Sequence, residues 1–391
     1  MVENEQSNFK LNPGSMLQIF LELDVIEQIK QIQKNENLKD ERDVIIRAIQ
    51  NYSKKNISDH PRQQQNHFED EIAQTSFNGD VDIKKLESIL VHNKSENLIK
   101  KLPQDKIYTM SDAGMIHRFH TKILPVKFSL MCLSKMIVEK DSPWIGLNEF
   151  KKYTLDSAKT FVAKFESSSI QNKFKVHAGF PILKRDKFKS EQESYVSYAR
   201  SSKRFTEQFV GRKLRIKELQ KNGDVYMGGA CFEMGLVNAK SEIINEQHNS
   251  EKIFVTLSKS GKDFVNYKND LINFIYNDKE NEPSSIFSQQ ETEFYFKIIL
   301  PEFKFENMFV EYLMKNTQID HTQDIKKWFK EEFHNFCKLE FPLDKISLEE
   351  NIVRIYSNTI MGRLMEFEIF TKDPKSKSGP YTRMQNLGDF V

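Results

Sequence analysis

Two phrases near the middle of the chain decide its fold: GGACFEMGLV at Gly228–Val237 and, after a polar loop, KIFVTLSKSG at Lys252–Gly261. The second phrase joins β-branched and aromatic residues, which favour a strand, to a Ser-x-x-Gly turn. We therefore expect a strand, a turn and a new helix in succession at this point of the chain.

The same succession recurs as a weak internal repeat. Tyr108–Gly114 has it, Met384–Gly388 is a fainter third copy, and an I-L-P phrase follows each of the first two, at Ile123–Pro125 and Ile299–Pro301. Between the copies, apolar residues recur at helical spacing and predict a mainly α protein with short β-ribbons. The predicted helices cover 81–91, 96–101, 128–139, 147–165, 203–209, 291–300, 306–315, 322–336 and 348–367.

The two quoted phrases together resemble many archaeal winged-helix proteins. In those proteins a helix ends in a glycine-leucine-valine phrase, a β-wing follows, and a short turn ending in glycine closes it. A second instance begins at Met361–Phe370 and continues into a candidate wing at Thr371–Tyr381. The loop of that wing, Lys372–Gly379, contains three lysines and is placed to lie along a phosphate backbone. The resemblance implies tandem winged-helix-like domains.

Residues 16–55 form a separate pattern of one strand and two helices. Apolar residues alternate along Leu17–Leu23, as in a half-buried strand, and Val44–Tyr52 has helical spacing. The pattern resembles the ribbon-helix-helix family of Arc and CopG type, in which two chains pair their strands. The resemblance implies a homodimer held by the N-terminal ribbon. A lone strand would leave its edges unpaired, and about 40 residues bury too little core alone.

These patterns divide the chain into four parts. Residues 16–55 are predicted to be a ribbon-helix-helix module for dimerisation and DNA binding, and 56–105 a linker with short helices. Residues 106–275 and 285–391 are predicted to be the first and second winged-helix-like domains. The polar run Gln63–Gln65 and the residues around it lack apolar periodicity, which is typical of a linker.

Positive charge is concentrated in one part of the chain. The 391 residues have a formal net charge of only +2. Residues 175–221 contain thirteen Lys or Arg and five Asp or Glu, a local balance of +8. A confined basic stretch suits phosphate neutralisation. A solvated helical face is the alternative interpretation of the same stretch.

Several other classes of protein lack support. The most apolar stretch, Ile123–Val138, is broken by lysines and is shorter than the roughly 20 residues of a membrane span. The opening MVENEQSNFK is polar, without the apolar core of a signal peptide. The three cysteines are far apart, so a disulfide framework is not expected. We expect a cytoplasmic protein with no membrane partner.

No enzyme signature stands out. The chain has no G-x-G-x-x-G, P-loop, H-E-x-x-H or G-x-S-x-G motif. His117 and His120 lie three residues apart on a predicted helix, which could suit a metal, but no nearby Cys, Asp or Glu supplies a convincing third ligand. We expect a non-enzymatic protein with no catalytic residue, no cofactor and no metal site.

Candidate nucleic-acid contacts at the N-terminus follow from the ribbon-helix-helix resemblance. In that family the outward side chains of the strand read bases, and here these are Gln18, Phe20 and Glu22. Gln suits adenine, Phe a thymine methyl group, and Glu a cytosine amine. Because Glu22 also repels phosphate, a ribbon that only dimerises is the alternative.

Further candidates lie in the two predicted winged-helix-like domains. In the last domain Arg354 and Arg363 flank the candidate recognition helix, and helical spacing puts Arg354, Ser357 and Asn358 on one face. An ordinary solvated surface is the alternative. In the basic stretch the expected phosphate contacts are Lys203, Arg204, Arg212, Lys213, Arg215 and Lys217.

The sequence thus favours a dimeric, sequence-specific transcriptional regulator whose partner is double-stranded DNA. A protein-interaction scaffold, such as a defence or plasmid-maintenance component, is the alternative, because winged helices also bind proteins. An antitoxin-like role is a third hypothesis. The long C-terminal region argues against it, since the tails of antitoxins are usually short.

Overall fold

The structure, a computed structural model, describes the chain in segments: 77–91, 111–174, 176, 179–181, 191–214, 226–245, 250–277, 281–315, 318–319, 325–340, 349–372 and 381–384. The predicted ribbon-helix-helix module at 16–55, with Gln18, Phe20 and Glu22, lies outside the described residues. Arg215 and Lys217 lie outside them as well.

Helices dominate the described residues, as the apolar periodicity predicts. The α-helices are α1 (Ile83–Val91), α2 (Leu124–Lys140), α3 (Leu147–Ser167), α4 (Glu191–Arg204), α5 (Ala230–Glu233), α6 (Lys259–Asn266), α7 (Asp270–Tyr276), α8 (Gln289–Phe294), α9 (Lys304–Met314), α10 (Lys326–Glu340) and α11 (Glu350–Glu366). A π-helical turn at Phe205–Val210 continues α4. Another π-helical turn at Tyr295–Ile299 and a 3₁₀ turn at Leu300–Glu302 link α8 to α9.

The strands of the described segments form small antiparallel sheets. The strands are β1 (Ile145–Gly146), β2 (Arg212–Lys213), β3 (Met227–Gly228), β4 (Val237–Asn245), β5 (Ser250–Leu257), β6 (Gln318–Ile319), β7 (Phe370–Lys372) and β8 (Tyr381–Arg383). One sheet has the order β1-β5-β4, another has the order β6-β8-β7, and β2 pairs with β3. The prediction of a mainly α protein with short β-ribbons is confirmed at this level.

Two parts of the chain share one order of elements. In the second part, α9 is followed by β6, α10, α11 and the hairpin β7-β8. In the first, α2 is followed by β1, α3, α5 and the hairpin β4-β5, with α4, β2 and β3 inserted before α5. In both parts the strand after the first helix pairs with the last strand of the hairpin. Of the phrases of the sequence repeat, the first I-L-P phrase runs into the start of α2 and the second directly precedes α9, so these two phrases stand at the start of the two parts.

The Ser-x-x-Gly phrase of the opening stretch starts α6. The Oγ of Ser258 accepts a hydrogen bond from the N–H of Gly261 at 2.9 Å, which satisfies a donor of the first helical turn. A Cβ at Gly261 would lie 1.9 Å from the carbonyl oxygen of Leu236. The serine therefore caps the helix, and the glycine lets it pack against the residue that precedes β4.

Turns, not a helix, occupy the stretch that contains His117 and His120, so the helix expected there is wrong. The N–H of Glu306 in α9 donates to the carbonyl oxygen of Gly114 at 3.0 Å, and the N–H of Ile116 donates to Glu306 Oε2 at 3.0 Å. The bond between Ile116 and Glu306 joins residues 190 positions apart. Local spacing could not reveal partners so distant in sequence.

The core is rich in packed aromatic rings. The centroid of Phe128 lies 5.1 Å from that of Phe161, and that of Phe305 lies 5.0 Å from that of Phe333. All described residues belong to one compact unit spanning Ile72–Val391.

A buried ion pair joins α2 to α8. Lys127 Nζ in α2 lies 3.1 Å from Glu291 Oε1 in α8, and neither side chain is exposed. The amide of Asn269 donates to the same carboxylate at 3.1 Å. Lys127 Nζ also donates to the carbonyl oxygens of Phe264 and Tyr267, both at 2.6 Å. Each buried charge is thus satisfied, as burial requires.

Candidate nucleic-acid interface

Helix α11 has an exposed stripe on its N-terminal half. Asn351, Arg354, Ile355 and Asn358 are exposed, and their i, i+3, i+4, i+7 spacing puts them on one face. On the opposite side Tyr356 is only 2% exposed. The stripe presents two amides, one guanidinium and one apolar side chain to solvent.

Arg363, at the other end of α11, is buried and cannot contact a nucleic acid. Its Nη2 forms an ion pair with Glu306 of α9, and its Nη1 donates to the carbonyl oxygen of His120. Its side chain is 1% exposed. The prediction of Arg363 as a nucleic-acid contact is therefore wrong. The residue instead holds α11 against α9 and against the turns that precede α2.

Those turns lie along α11. Thr359 Oγ1 donates to the carbonyl oxygen of Arg118 at 2.8 Å, and Lys122 Nζ donates to the carbonyl oxygen of Gly362 at 3.1 Å. The approach is close, since a Cβ at Gly362 would lie 3.2 Å from the carbonyl oxygen of Thr121. Arg118 is thereby fixed next to the C-terminal end of the stripe, because Thr359 directly follows its last residue.

His117 lies among groups of both charges. Its Nδ1 accepts a hydrogen bond from the N–H of Phe119 at 3.4 Å, so the neutral ring carries its proton on Nε2. Burial lowers the pKa of His117 to about 4. The charge of Glu233 opposes this shift, whereas the charges of Arg118 and Arg212 add to it. Arg118 and Arg212 thus act on the same imidazole.

Arg212 belongs to the predicted basic stretch and begins β2. This strand lies close to α5, because a Cβ at Gly229 would meet the Cα of Gly211 at 2.7 Å. Glu233 ends α5, and its Oε2 lies 3.1 Å from His120 Nε2. Helix α5 therefore joins Arg212 to the turns that lie on α11.

The carboxylate of Glu233 is held ionised by its neighbours. Burial would raise the pKa of Glu233, but the interactions of its carboxylate with the His120 and His117 imidazoles and the hydrogen bond from the N–H of Gly229 lower it to about 2. Ser111 Oγ also donates to Glu233 Oε2 at 3.1 Å. The carboxylate thus ties α5 to the turns on both sides of His117.

The other predicted phosphate contacts lie on or near α4. Lys203 and Arg204 are exposed at its C-terminal end, and Lys203 Nζ lies 3.9 Å from Glu207 Oε1, which offsets part of its charge. Lys213 is half-buried in β2.

Sequence reasoning missed Asn351, Ile355 and Arg118. Asn351 lies three positions before Arg354, and Ile355 lies three positions before Asn358. Both therefore share the helical face of Arg354 and Asn358, and the same spacing would have found them. Arg118 becomes apparent only through the long-range bond to Thr359. Within the described segments, neither Arg354 nor Arg118 has a carboxylate within ion-pair distance, and the Cζ of Arg118 lies 5.1 Å from the centroid of the Phe119 ring.

Other kinds of site find no support in the described segments. Among those residues no group of three or more His, Cys, Asp or Glu side chains could hold a metal ion. No helix in the same segments is long and apolar enough to cross a membrane. Cys132, Cys231 and Cys337 are buried free thiols.

Comparison with known proteins finds no matching family model, no matching curated protein and no matching solved structure. Function is therefore inferred from the geometry of α11 and of the turns that lie along it.

Proposed function

We propose that this protein is a dimeric, sequence-specific transcriptional regulator that binds double-stranded DNA through α11. The exposed stripe on α11 carries the proposal. Asn and Arg are the side chains that pair with purine edges in the major groove. Helix-turn-helix proteins present the N-terminal residues of their recognition helix to the bases, and the stripe occupies that half of α11.

The order of elements supports a winged-helix assignment. Winged helices consist of a helix, a strand, two further helices and a hairpin, with the first strand paired to the last. The part from α9 to β8 has this order and this pairing. In the proposal α10 and α11 form the helix-turn-helix, and β7-β8 is the wing. The part from α2 to β5 is a second, interrupted copy.

Arginines near α11 supply the contacts that position a duplex. Phosphate contacts fix register and orientation without reading sequence. Arg118, beside the stripe, and Arg212, near His117, are the described residues best placed for this role. Lys203, Arg204 and Lys213 are the other described members of the predicted basic stretch.

The dimer in this proposal rests on the ribbon-helix-helix resemblance of residues 16–55. Two copies of α11 held in one dimer would bind a site with two-fold character. Joining weak binding modules in one molecule raises their affinity through effective concentration.

Duplex binding by stripe variants tests the proposal. Arg354→Ala and Asn358→Ala should weaken binding of the full chain to a selected duplex, while Lys259→Ala, which removes an exposed charge from α6, should not. All three variants should keep the denaturation midpoint of the wild type, because the substituted side chains are exposed. Equal effects of Arg354→Ala and Lys259→Ala would contradict recognition through α11.

A protein-interaction scaffold is the second candidate, and an apolar surface favours it. Leu339 is 87% exposed and Met308 38% exposed, and both border a groove of about 370 Å³ between α9 and α10. Exposed apolar clusters commonly mark protein interfaces. Failure of the protein to bind any duplex at low salt would favour this second function.

A further inference from the structure

The stripe on α11 has the dimensions of a short run of base pairs. Asn351 and Asn358 are seven residues apart, which is about 10 Å along a helix that rises 1.5 Å per residue. Base pairs in B-DNA are about 3.4 Å apart. A helix lying along the major groove would therefore hold the stripe over about three to four base pairs.

The chemistry of the stripe differs along its length. Asn351 and Asn358 each offer an amide, which matches the N6 donor and N7 acceptor of adenine. Arg354 lies between them and offers a fork of donors that matches O6 and N7 of guanine. Ile355, 36% exposed, can only make apolar contact, which suits the methyl group of thymine.

Among the described residues, no carboxylate forms an ion pair with the guanidinium of Arg354. Glu350, in the first turn of α11, has its Oε1 3.5 Å from Lys326 Nζ. A carboxylate in the first turn also stabilises the helix through its dipole. In the described segments Arg354 forms no ion pair that would have to break before a base is bound.

We infer that α11 selects a purine core in which adenines flank a guanine, with Arg354 reading the guanine and Asn351 and Asn358 reading one adenine each. Ile355 selects a thymine methyl group beside the core. This inference rests on the proposed function, because it names the sequence that the same helix would recognise. It adds an assignment of one base type to each polar residue of the stripe.

Selection of duplexes tests the assignment. Fragments bound by the full chain are selected from random duplexes, first with the wild type and then with Asn351→Ala, Arg354→Ala and Asn358→Ala. Arg354→Ala should lose the preference for guanine and keep the others, and each Asn variant should lose the preference for one adenine. Asn266→Ala, an exposed amide on α6, is the matched control and should keep every preference.

A modified base isolates the contact with Arg354. Replacing the selected guanine with 7-deazaguanine removes N7 and keeps O6, so it should weaken wild-type binding by less than the roughly 5- to 150-fold discrimination of a complete bidentate pair. The same replacement should leave the affinity of Arg354→Ala unchanged. A double change that binds no more weakly than Arg354→Ala alone would show that Arg354 and N7 form one contact.

The results separate the inference from the proposed function. If the variants bind all sequences more weakly but keep every base preference, the base assignment is wrong and DNA binding by α11 stands. A wild-type core without guanine also overturns the assignment. If the wild type binds no duplex at low salt, the assignment and the proposed function both fail.

Discussion

Glu306 and Arg363 form an ion pair in which each side chain is only 1% exposed. The pair joins α9 to α11, and Glu306 also accepts a hydrogen bond from the N–H of Ile116. The orientation of the proposed recognition helix therefore depends on a charge pair that water does not reach.

Breaking this pair should destabilise the protein strongly. Arg363→Met leaves the Glu306 carboxylate buried without its cation, and loss of one partner of such a pair costs about 3–5 kcal/mol of unfolding free energy. Replacing both, as Arg363→Met with Glu306→Leu, should restore part of that loss. Urea denaturation measures the difference in unfolding free energy, provided that the slope of that free energy against urea concentration is the same in all variants. A loss below about 1 kcal/mol for Arg363→Met would mean that the pair is exposed in solution.

The close packing of Gly261 makes a second stability prediction. Gly261→Ala puts a methyl group 1.9 Å from the Leu236 carbonyl oxygen, so either α6 or the start of β4 must shift. Overpacking of this kind costs about 1–3 kcal/mol. Gly146→Ala is the matched control, because its Cβ would make ordinary contact with Lys252 at 3.5 Å. Equal thermal midpoints for the two variants would contradict the packing of Ser258–Gly261.

The lowered pKa of His117 predicts a dependence of stability on pH. The folded protein keeps His117 neutral down to about pH 4, whereas the unfolded chain takes up the proton near the ordinary value of 6.5. Stability from this residue is therefore present above pH 6.5 and is lost as the pH falls from there to about 4. His117→Gln should lose less stability over that window than the wild type does.

The same histidine reports on Arg212. Because the charge of Arg212 helps to lower the pKa of His117, Arg212→Ala should raise that pKa. Titration of the imidazole by NMR measures the shift. Arg200→Ala, which removes an exposed charge from α4, serves as the control. If the pKa does not respond to Arg212→Ala, this arginine lies away from the turns on α11.

Dimerisation through the N-terminal ribbon predicts a concentration-dependent assembly. The full chain should sediment as a dimer at micromolar concentration. Leu21→Lys puts a charge on the apolar side of the predicted strand and should give a monomer. Glu22→Lys, on the other side of that strand, should leave the dimer intact. A wild-type monomer would contradict the ribbon-helix-helix prediction.

Sequence patterns predicted elements whose determinants are local. Helix α3 follows from apolar spacing along Leu147–Phe165, and the start of α6 follows from Ser258 and Gly261, which cap and pack it. The exposure of Arg354 and Asn358 agrees with their helical spacing. In each case the deciding residues lie within a few positions of one another.

Elements that depend on distant partners could not be predicted in the same way. Arg363 looked like a surface cation because its partner, Glu306, lies 57 positions away. The turns around His117 were predicted to be helical because the groups that hold their backbone lie in α9 and α11, far away along the chain. Arg118 was missed for the same reason, since its carbonyl bond to Thr359 spans 241 positions.

The salt dependence of duplex binding is the measurement that tests DNA recognition most directly. The affinity of the full chain for a selected duplex should fall steeply between about 50 and about 200 mM salt, because each phosphate contact releases counterions. Arg118→Ala should make that slope shallower by about one unit. An affinity that does not change with salt, or no duplex binding at low salt, would contradict DNA binding by this protein.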